Sequence, residues 1–570
     1  MKNNNNARFF IWSILLAIFL FIHNKNLAQV GSAKSYENGL VVSAEQRASA
    51  VGKEILQQGG NAIDAAVGVQ FALAVTLPRA GNIGGGGFMV LHTSDGKTHA
   101  LDFREKAPMK ASSKMYLRDG KYIPKLSRLG ALAVGVPGVV DGMIKALERY
   151  GRLPLETVMQ PAIDLAGEGY KLSSAQAQSL NDKAGDFEQF KSSSKYFLKK
   201  DGTTWQEGNL FVQKDLAQTL QRIANRGRKG FYSGKTADLI VEEMQNQRGL
   251  ISYDDLQSYE SVWRKPVKAS FKDYNLHIMP PPSSGSIAVH QILEMLDPFD
   301  LKKMGFNSAD YVHLVTETMR RAFADRAYFL GDPDFVDIPR ERLLSNSYNK
   351  KRMQSFKHDK ASSSDKIGHG DIPFLQESDQ TTHFSILDKE GNAVSVTTTL
   401  NGSFGSKLAV GGAGFVLNNE MDDFTAEPSE PNMYGLIQGK ANIVQPQKRM
   451  ISSMTPTIVT KKGEVRMVLG AAGGPRIITA TLQNFLNLTV FNMAPQQAIS
   501  APRFHHQWMP DKLYYEEFGL SPDTQKKLSN MGHTLQPRGH IGRAHSIYVN
   551  EKGLKYGSAD PRAHGSAEGY

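Results

Sequence analysis

Residues 379–406 read DQTTHFSILDKEGNAVSVTTTLNGSFGS. Two β-prone runs, 381–388 and 392–399, flank Lys389-Glu390-Gly391. A three-residue connection that closes on glycine suits a hairpin made from a type I turn and a left-handed residue. If Asp388 pairs with Asn392, Thr381 comes to lie opposite Thr399, and a bulge would shift that register by one. The spacing therefore predicts two threonines facing each other at the open end of a hairpin.

Upstream, Lys357 to Gln380 is polar and full of turn formers: Ser362-Ser363-Ser364-Asp365, Gly368-His369-Gly370 and Glu377-Ser378-Asp379-Gln380. It reads as an exposed loop, the kind of segment that tolerates a chain break. A threonine opening a strand is ordinarily just a strand residue. The sharper reading is autoproteolysis, in which the Thr381 hydroxyl attacks the Gln380 carbonyl and leaves Thr381 as a new N-terminus. Its α-amine, with an ordinary pKa of about 7.7–8.0, would then serve as the hydroxyl's own base.

Further out the chain alternates helices and strands. Ser43 is placed to cap a helix through Val51 and Leu56 that stops at Gly59-Gly60. Asn61 is placed to cap a second, Ala62 to about Val75, apolar nearly all round and therefore buried. A third is expected at about 308–328. Gly84-Gly85-Gly86-Gly87 lacks the Gly-Lys-Ser/Thr ending of a phosphate loop and reads as close backbone packing before a strand, Phe88–Leu91. His505-His506 could suggest a metal, but adjacent histidines do not share a helix face, so a structural pair is the expectation. No metal or cofactor is expected.

The 570-residue chain is 40% hydrophobic and 22% charged, the make-up of a globular protein. It has no cysteine, which excludes disulfides, thiolate metal sites and a cysteine nucleophile. Lys2 and Arg8 precede the apolar run Phe9–Ile22, and Leu27-Ala28-Gln29 follows, the pattern of a secretory signal over 1–28. Export across the inner membrane is expected, to the periplasm or beyond the cell. Losing Lys2, Arg8 and Lys25 lowers the formal charge from +11 to +8. With no dense basic block, a solvated basic surface is expected rather than a nucleic-acid partner.

Ordered blocks run nearly end to end: GGNAIDAAV (59–67), AGNIGGGGFMV (80–90), LDFREKAP (101–108), GVPGVVDG (135–142), PPPSSG (280–285), ADRAYFLGDPDF (324–335), the hairpin, LNNEMDDF (417–424), ISSMTPT (451–457), GAAGGPRIIT (470–479), APRFHHQW (501–508) and GSADPRAHGSAEGY (557–570). Together they resemble the γ-glutamyltransferase family of N-terminal-nucleophile hydrolases. The resemblance implies an α+β fold, a four-layer αββα sandwich built jointly by a large fragment, 29–380, and a small catalytic one, 381–570, paired as a heterodimer.

It also implies roles. Thr381 would be the processing and catalytic nucleophile, cut from Gln380, with Thr399 holding its amine or hydroxyl. Gly473 and Gly474 would form the oxyanion nest. Arg104 would clamp the substrate carboxylate, helped by Ser452 and Ser453, though Asp102 and Glu105 leave a structural ion pair open. Asp423 would accept from the substrate ammonium, with Asn401 and Glu420, though a turn or cap would also explain an aspartate there. Tyr434, in PSEPNMYG (428–435), would gate a lid. The implied substrates are glutathione and other γ-glutamyl compounds, with water, amino acids or dipeptides as acceptors. The alternatives are a β-lactam side-chain acylase, a poly-γ-glutamate transferase, or a processed but inactive binding protein.

Overall fold

The computed structural model describes residues 33–367, 381–425, 433 and 439–570. The expected signal segment, Gln380 and Tyr434 lie outside these described residues.

The hairpin forms in the expected register. Thr382–Leu387 pairs antiparallel with Ala393–Thr399, Thr382 against Thr398 and Leu387 against Ala393, without a bulge. Gly391 closes the turn at φ 91°. The Asp388 carboxylate caps the turn by accepting from Glu390 N–H and Asn392 N–H, both at 2.9 Å, and reaches across to Ala62 N–H at 3.0 Å. The hairpin tip is thus pinned to the start of helix Ala62–Thr76.

The hairpin is central in a seven-stranded antiparallel sheet. Its order is Ser566–Gly569, Leu40–Ser43, Thr382–Leu387, Ala393–Thr399, Gly86–His92, Thr98–Phe103, Val262–Arg264. A second antiparallel sheet runs Ser35–Tyr36, Lys555–Ala559, Arg543–Val549, Glu464–Leu469, Thr457–Lys461, Tyr274–Ile278, Val267–Phe271, with Ala471–Ala472 also on Arg543–Val549.

Side chains alternate across a strand, and here the alternation sorts them into separate cores. Val41, Met89, Leu91, Val394 and Val396 pack against helices such as Ala62–Thr76. Their neighbours Leu40, Val42, Phe88 and Val90 meet Ile458, Val468 and Ile547 between the sheets. On the far side, Val459, Met467 and Leu469 pack against helices Gly285–Leu296, Ala309–Phe329 and Arg476–Thr489. The order helix, sheet, sheet, helix is the expected αββα sandwich.

Asn61 caps its helix in a full capping box with Asp64, and every residue from Ala62 to Thr76 is buried. The 308–328 expectation is met by Ala309–Phe329, capped by Ser308. Ser43 does not cap the first helix. It ends strand Leu40–Ser43, and Glu45 caps Gln46–Gln57 instead, accepting from Ala48 N–H. Pairing in the sheet takes up Ser43, so the cap falls two residues later.

The glycine run packs as expected. A Cβ on Gly85 would fall 2.1 Å from the Thr399 carbonyl, and one on Gly87 2.4 Å from that of Thr397. The expected exposed loop is only partly one. Ser364–Ile367 is a short helix, and Ser364 is buried. Its N–H donates to Asp511 at 2.8 Å, and its carbonyl accepts from Trp508 Nε1 at 2.9 Å.

Candidate active site

Thr381 opens the hairpin, 9% exposed, at the wall of a cavity of about 320 Å³. Thr399, Asn401, Glu420, Asp423, Ser452, Ser453 and Gly474 line the same cavity, joined by Arg326, Met454, Pro475 and Ile477. Residues of the expected site up to 93 positions apart, Thr381 to Gly474, thus share one space. Arg104 and Gly473 stand behind this wall.

The loop after the hairpin sets the acidic wall. Thr399 Oγ1 accepts from Asn401 N–H at 2.8 Å, and Asn401, at φ 70°, donates from Nδ2 to the Asn419 carbonyl at 3.0 Å. Asn419 Oδ1 accepts from Gly402 N–H at 2.8 Å. This lacing fixes the 3₁₀ turn Glu420–Asp423 against Thr399. Asp422 turns away to Ser127, Tyr122 and Arg128, a structural anchor. The serine pair is held from the N-terminal side of the chain: Ser284 donates from N–H and Oγ to the Ser452 carbonyl, at 2.8 and 2.7 Å.

Arg104 is fully buried, and all five of its N–H groups are committed. Nε donates to Met450 O at 3.3 Å and Nη2 to Ile451 O at 3.1 Å and Asp423 Oδ2 at 2.5 Å. Nη1 donates to Glu420 Oε1 and, at 3.5 Å, to Glu105 Oε2. The structural pairing is therefore with Glu105 and with two cavity acids. Asp102 instead accepts from Arg104 N–H and Arg264.

One guanidinium faces several acids, and burial dominates their titration. It pushes Asp423 up to about 6 and Glu105 up to about 7, against the downward pull of Arg104. Glu420 is pushed well above the ordinary carboxylate range by burial, again opposed by Arg104 and helped by Glu105. Glu420 Oε2 has no hydrogen-bond partner.

Arg326 is the residue the sequence reasoning missed. It lies on helix Ala309–Phe329, donating from Nε to Ser284 Oγ at 2.9 Å and from Nη2 to Ser453 Oγ at 3.3 Å. Its Nη1 is buried without a partner, and burial lowers its pKa to about 10 against the pull of Asp423. The available sign was its place in the block ADRAYFLGDPDF.

Gly473 and Gly474 have φ of 130° and 57°, a region that favours glycine, and lead directly into helix Arg476–Thr489. Two left-handed residues before a helix N-terminus form a concavity with a positive dipole, suited to a developing oxyanion. His505 and His506 serve structure: His505 contacts Thr479 and Gln507, and His506 contacts Asp511.

The cavity thus presents a threonine hydroxyl, a pair of glycines before a helix N-terminus and a wall with both signs of charge. A family model, Gamma-glutamyltranspeptidase, matches residues 48–570. The glutathione hydrolase proenzyme of Pseudomonas sp. (strain A14) is 45% identical over all of both chains. Among solved structures, the cephalosporin acylase from Bacillus halodurans superposes with a TM-score of 0.85 at 25% identity, over 96% of this chain and 98% of its own. The Helicobacter pylori gamma-glutamyltranspeptidase gives a TM-score of 0.56 at 46% identity, over 60% of this chain and 95% of that one.

Proposed function

The chain belongs to the gamma-glutamyltranspeptidase family, and we propose that it is a γ-glutamyltransferase and glutathione hydrolase that cuts itself before Thr381. The Thr381 hydroxyl adds to the Gln380 carbonyl, the C–N bond breaks as an ester forms, and water releases the ester. Fragments 29–380 and 381–570 remain together, and segment 1–28 directs export.

The observation that carries the substrate reading is a pair of unsatisfied groups on one cavity. Arg326 Nη1 is a buried donor without a partner, and Glu420 Oε2 a buried oxygen without one. Leaving both bare is costly. A free α-amino acid head answers both: its carboxylate meets Arg326, Ser452 and Ser453, and its ammonium meets Glu420 and Asp423. Arg104 holds those acids and exchanges part of its fork to the incoming carboxylate.

With the head so held, Thr381 Oγ1 attacks the γ-amide carbonyl while its α-amine takes the proton. Gly473 and Gly474 N–H groups meet the oxyanion. The amine of cysteinylglycine leaves with a proton, and the γ-glutamyl ester passes to water or an acceptor amine. An acyl group with no α-ammonium leaves the acidic wall unanswered, which argues against a β-lactam side-chain acylase.

A chromogenic γ-glutamyl anilide tests this. The expected result is release of the aniline, accelerated by glycylglycine. Processed protein that leaves the anilide intact while removing a β-lactam acyl group would overturn the reading in favour of the acylase.

A further inference from the structure

Ser284 stands at the cap position of helix Gly285–Leu296, yet its side chain makes no cap bond. A serine there ordinarily turns its oxygen back to the free N–H groups of the first helical turn. Here Ser283 Oγ accepts from Gly285 N–H at 3.2 Å, and the Ser284 hydroxyl is engaged elsewhere. It donates to the Ser452 carbonyl at 2.7 Å and accepts from Arg326 Nε at 2.9 Å. Ser284 is fully buried and stands outside the cavity wall, whereas Arg326, Ser452 and Ser453 are on it. The block PPPSSG (280–285) thus reaches the cavity through other residues.

A guanidinium is planar, and its N–H directions are fixed relative to one another. Ser284 Oγ holds Arg326 at Nε and Ser453 Oγ holds it at Nη2, at 3.3 Å, so the two serines together set the direction of Nη1, the buried donor without a partner. The two ends of the Ser284 hydroxyl differ in what else supports them. The Ser452 carbonyl keeps Ser284 N–H at 2.8 Å, Ser452 N–H donates to the Pro282 carbonyl at 2.9 Å, and Ser283 Oγ donates to the Met454 carbonyl at 2.7 Å. Losing the hydroxyl therefore leaves the backbone of the serine pair in place. It removes the only bond that Arg326 Nε makes among the described residues.

Resting on the reading of this cavity as the seat of an α-amino acid head, we propose that Ser284 is a positioning residue for donor specificity, aiming Arg326 at the α-carboxylate of the γ-glutamyl group. Ser284 touches no substrate, and no bond forms or breaks at its oxygen. Its effect is on which heads are accepted. With Arg326 aimed, a carboxylate gains a charge-assisted hydrogen bond from Nη1, which a neutral carboxamide answers only with the weaker oxygen of an amide. Without the hydroxyl, Nε joins Nη1 as a buried donor lacking a partner, and the guanidinium turns to satisfy either, so the two heads draw closer in rate. The bonds of Arg104 to Glu420 and Asp423, on the ammonium side, do not pass through Ser284.

The test compares kcat/KM for hydrolysis of the γ-glutamyl anilide and of its α-carboxamide, which differ only in the charge of the head's carboxyl group. The wild type is expected to prefer the carboxylate by about a hundredfold, within the range of hydrogen bonds to charged groups. Ser284→Ala should lower that preference about tenfold. In an Arg326→Gln background the same substitution should leave the preference where Arg326→Gln has put it, because the positioned group is gone. A merely structural role slows both anilides alike and keeps the ratio. Where Ser284→Ala yields no processed enzyme, Ser284→Cys, a weak donor and weak acceptor of similar size, should show the same fall in smaller measure. A wild-type ratio in these variants, or a fall that persists in the Arg326→Gln background, overturns the inference while the reading of the head stands. Wild-type enzyme that takes both heads equally overturns that reading and the inference together.

Discussion

Asp423 shows how one residue sets a measurable property of the site. Burial raises it to about 6 and Arg104 opposes that rise. Its charged form, the one suited to an ammonium under the proposed function, therefore prevails above about pH 6 and is lost below. The kcat/KM for a γ-glutamyl donor should fall on the acid side with an apparent pKa near 6, since that ratio reports the free enzyme. Asp423→Asn should lower the plateau and remove that limb, which a pH–rate profile of both proteins would show. The hairpin register, Thr382 against Thr398, was legible in the sequence because strand period and turn chemistry determine it locally. Arg326 was not, because Tyr311 through Arg326 is buried throughout, and helix periodicity does not tell which buried wall a guanidinium meets. Nor was the saturation of Arg104 by Glu420 and Asp423, which requires a 3₁₀ turn more than 300 positions away to fold against it.

At the scale of elements, the glycine-rich strand is what lets the hairpin sit where it does. A methyl group on Gly85 would stand 2.1 Å from the Thr399 carbonyl. Gly85→Ala should therefore displace Thr399 from Thr381, cost about 1–3 kcal/mol as overpacking, and slow chain cutting. Thermal unfolding together with the fraction cut on a denaturing gel would report both effects. The sequence marked this run as a close approach but not its partner, since nothing local links 84–87 to 397–399. The cap at Glu45 was hidden for a simpler reason. Serine is the stronger capping type, and only the pairing of Ser43 with Ser566 in the sheet removes it from that role.

At the scale of the whole molecule, the two expected fragments share both sheets. Strand Ala393–Thr399 lies between Thr382–Leu387 and Gly86–His92, and Thr457–Lys461 pairs with Tyr274–Ile278. The C-terminal strand Ser566–Gly569 closes on Leu40–Ser43. Cutting before Thr381 breaks no sheet, so the fragments should co-elute at the mass of the whole chain under native conditions and separate only in denaturant. The layer order was legible from the alternation of helix and strand patterns with the family resemblance, while the order of strands within each sheet is fixed by long-range pairing that no local pattern carries. Among the described residues no helix is long and apolar enough to cross a membrane.

The claim on which the rest depends is that Thr381 is both the cutting residue and the nucleophile. The direct measurement is the N-terminal sequence of the small fragment, taken beside Thr381→Ala on a denaturing gel with the anilide assay. The account predicts a small fragment beginning Thr-Thr-His-Phe in the wild type, and a single uncut, inactive chain in the variant. A Thr381→Ala protein that still cuts itself and still turns over the anilide would contradict it.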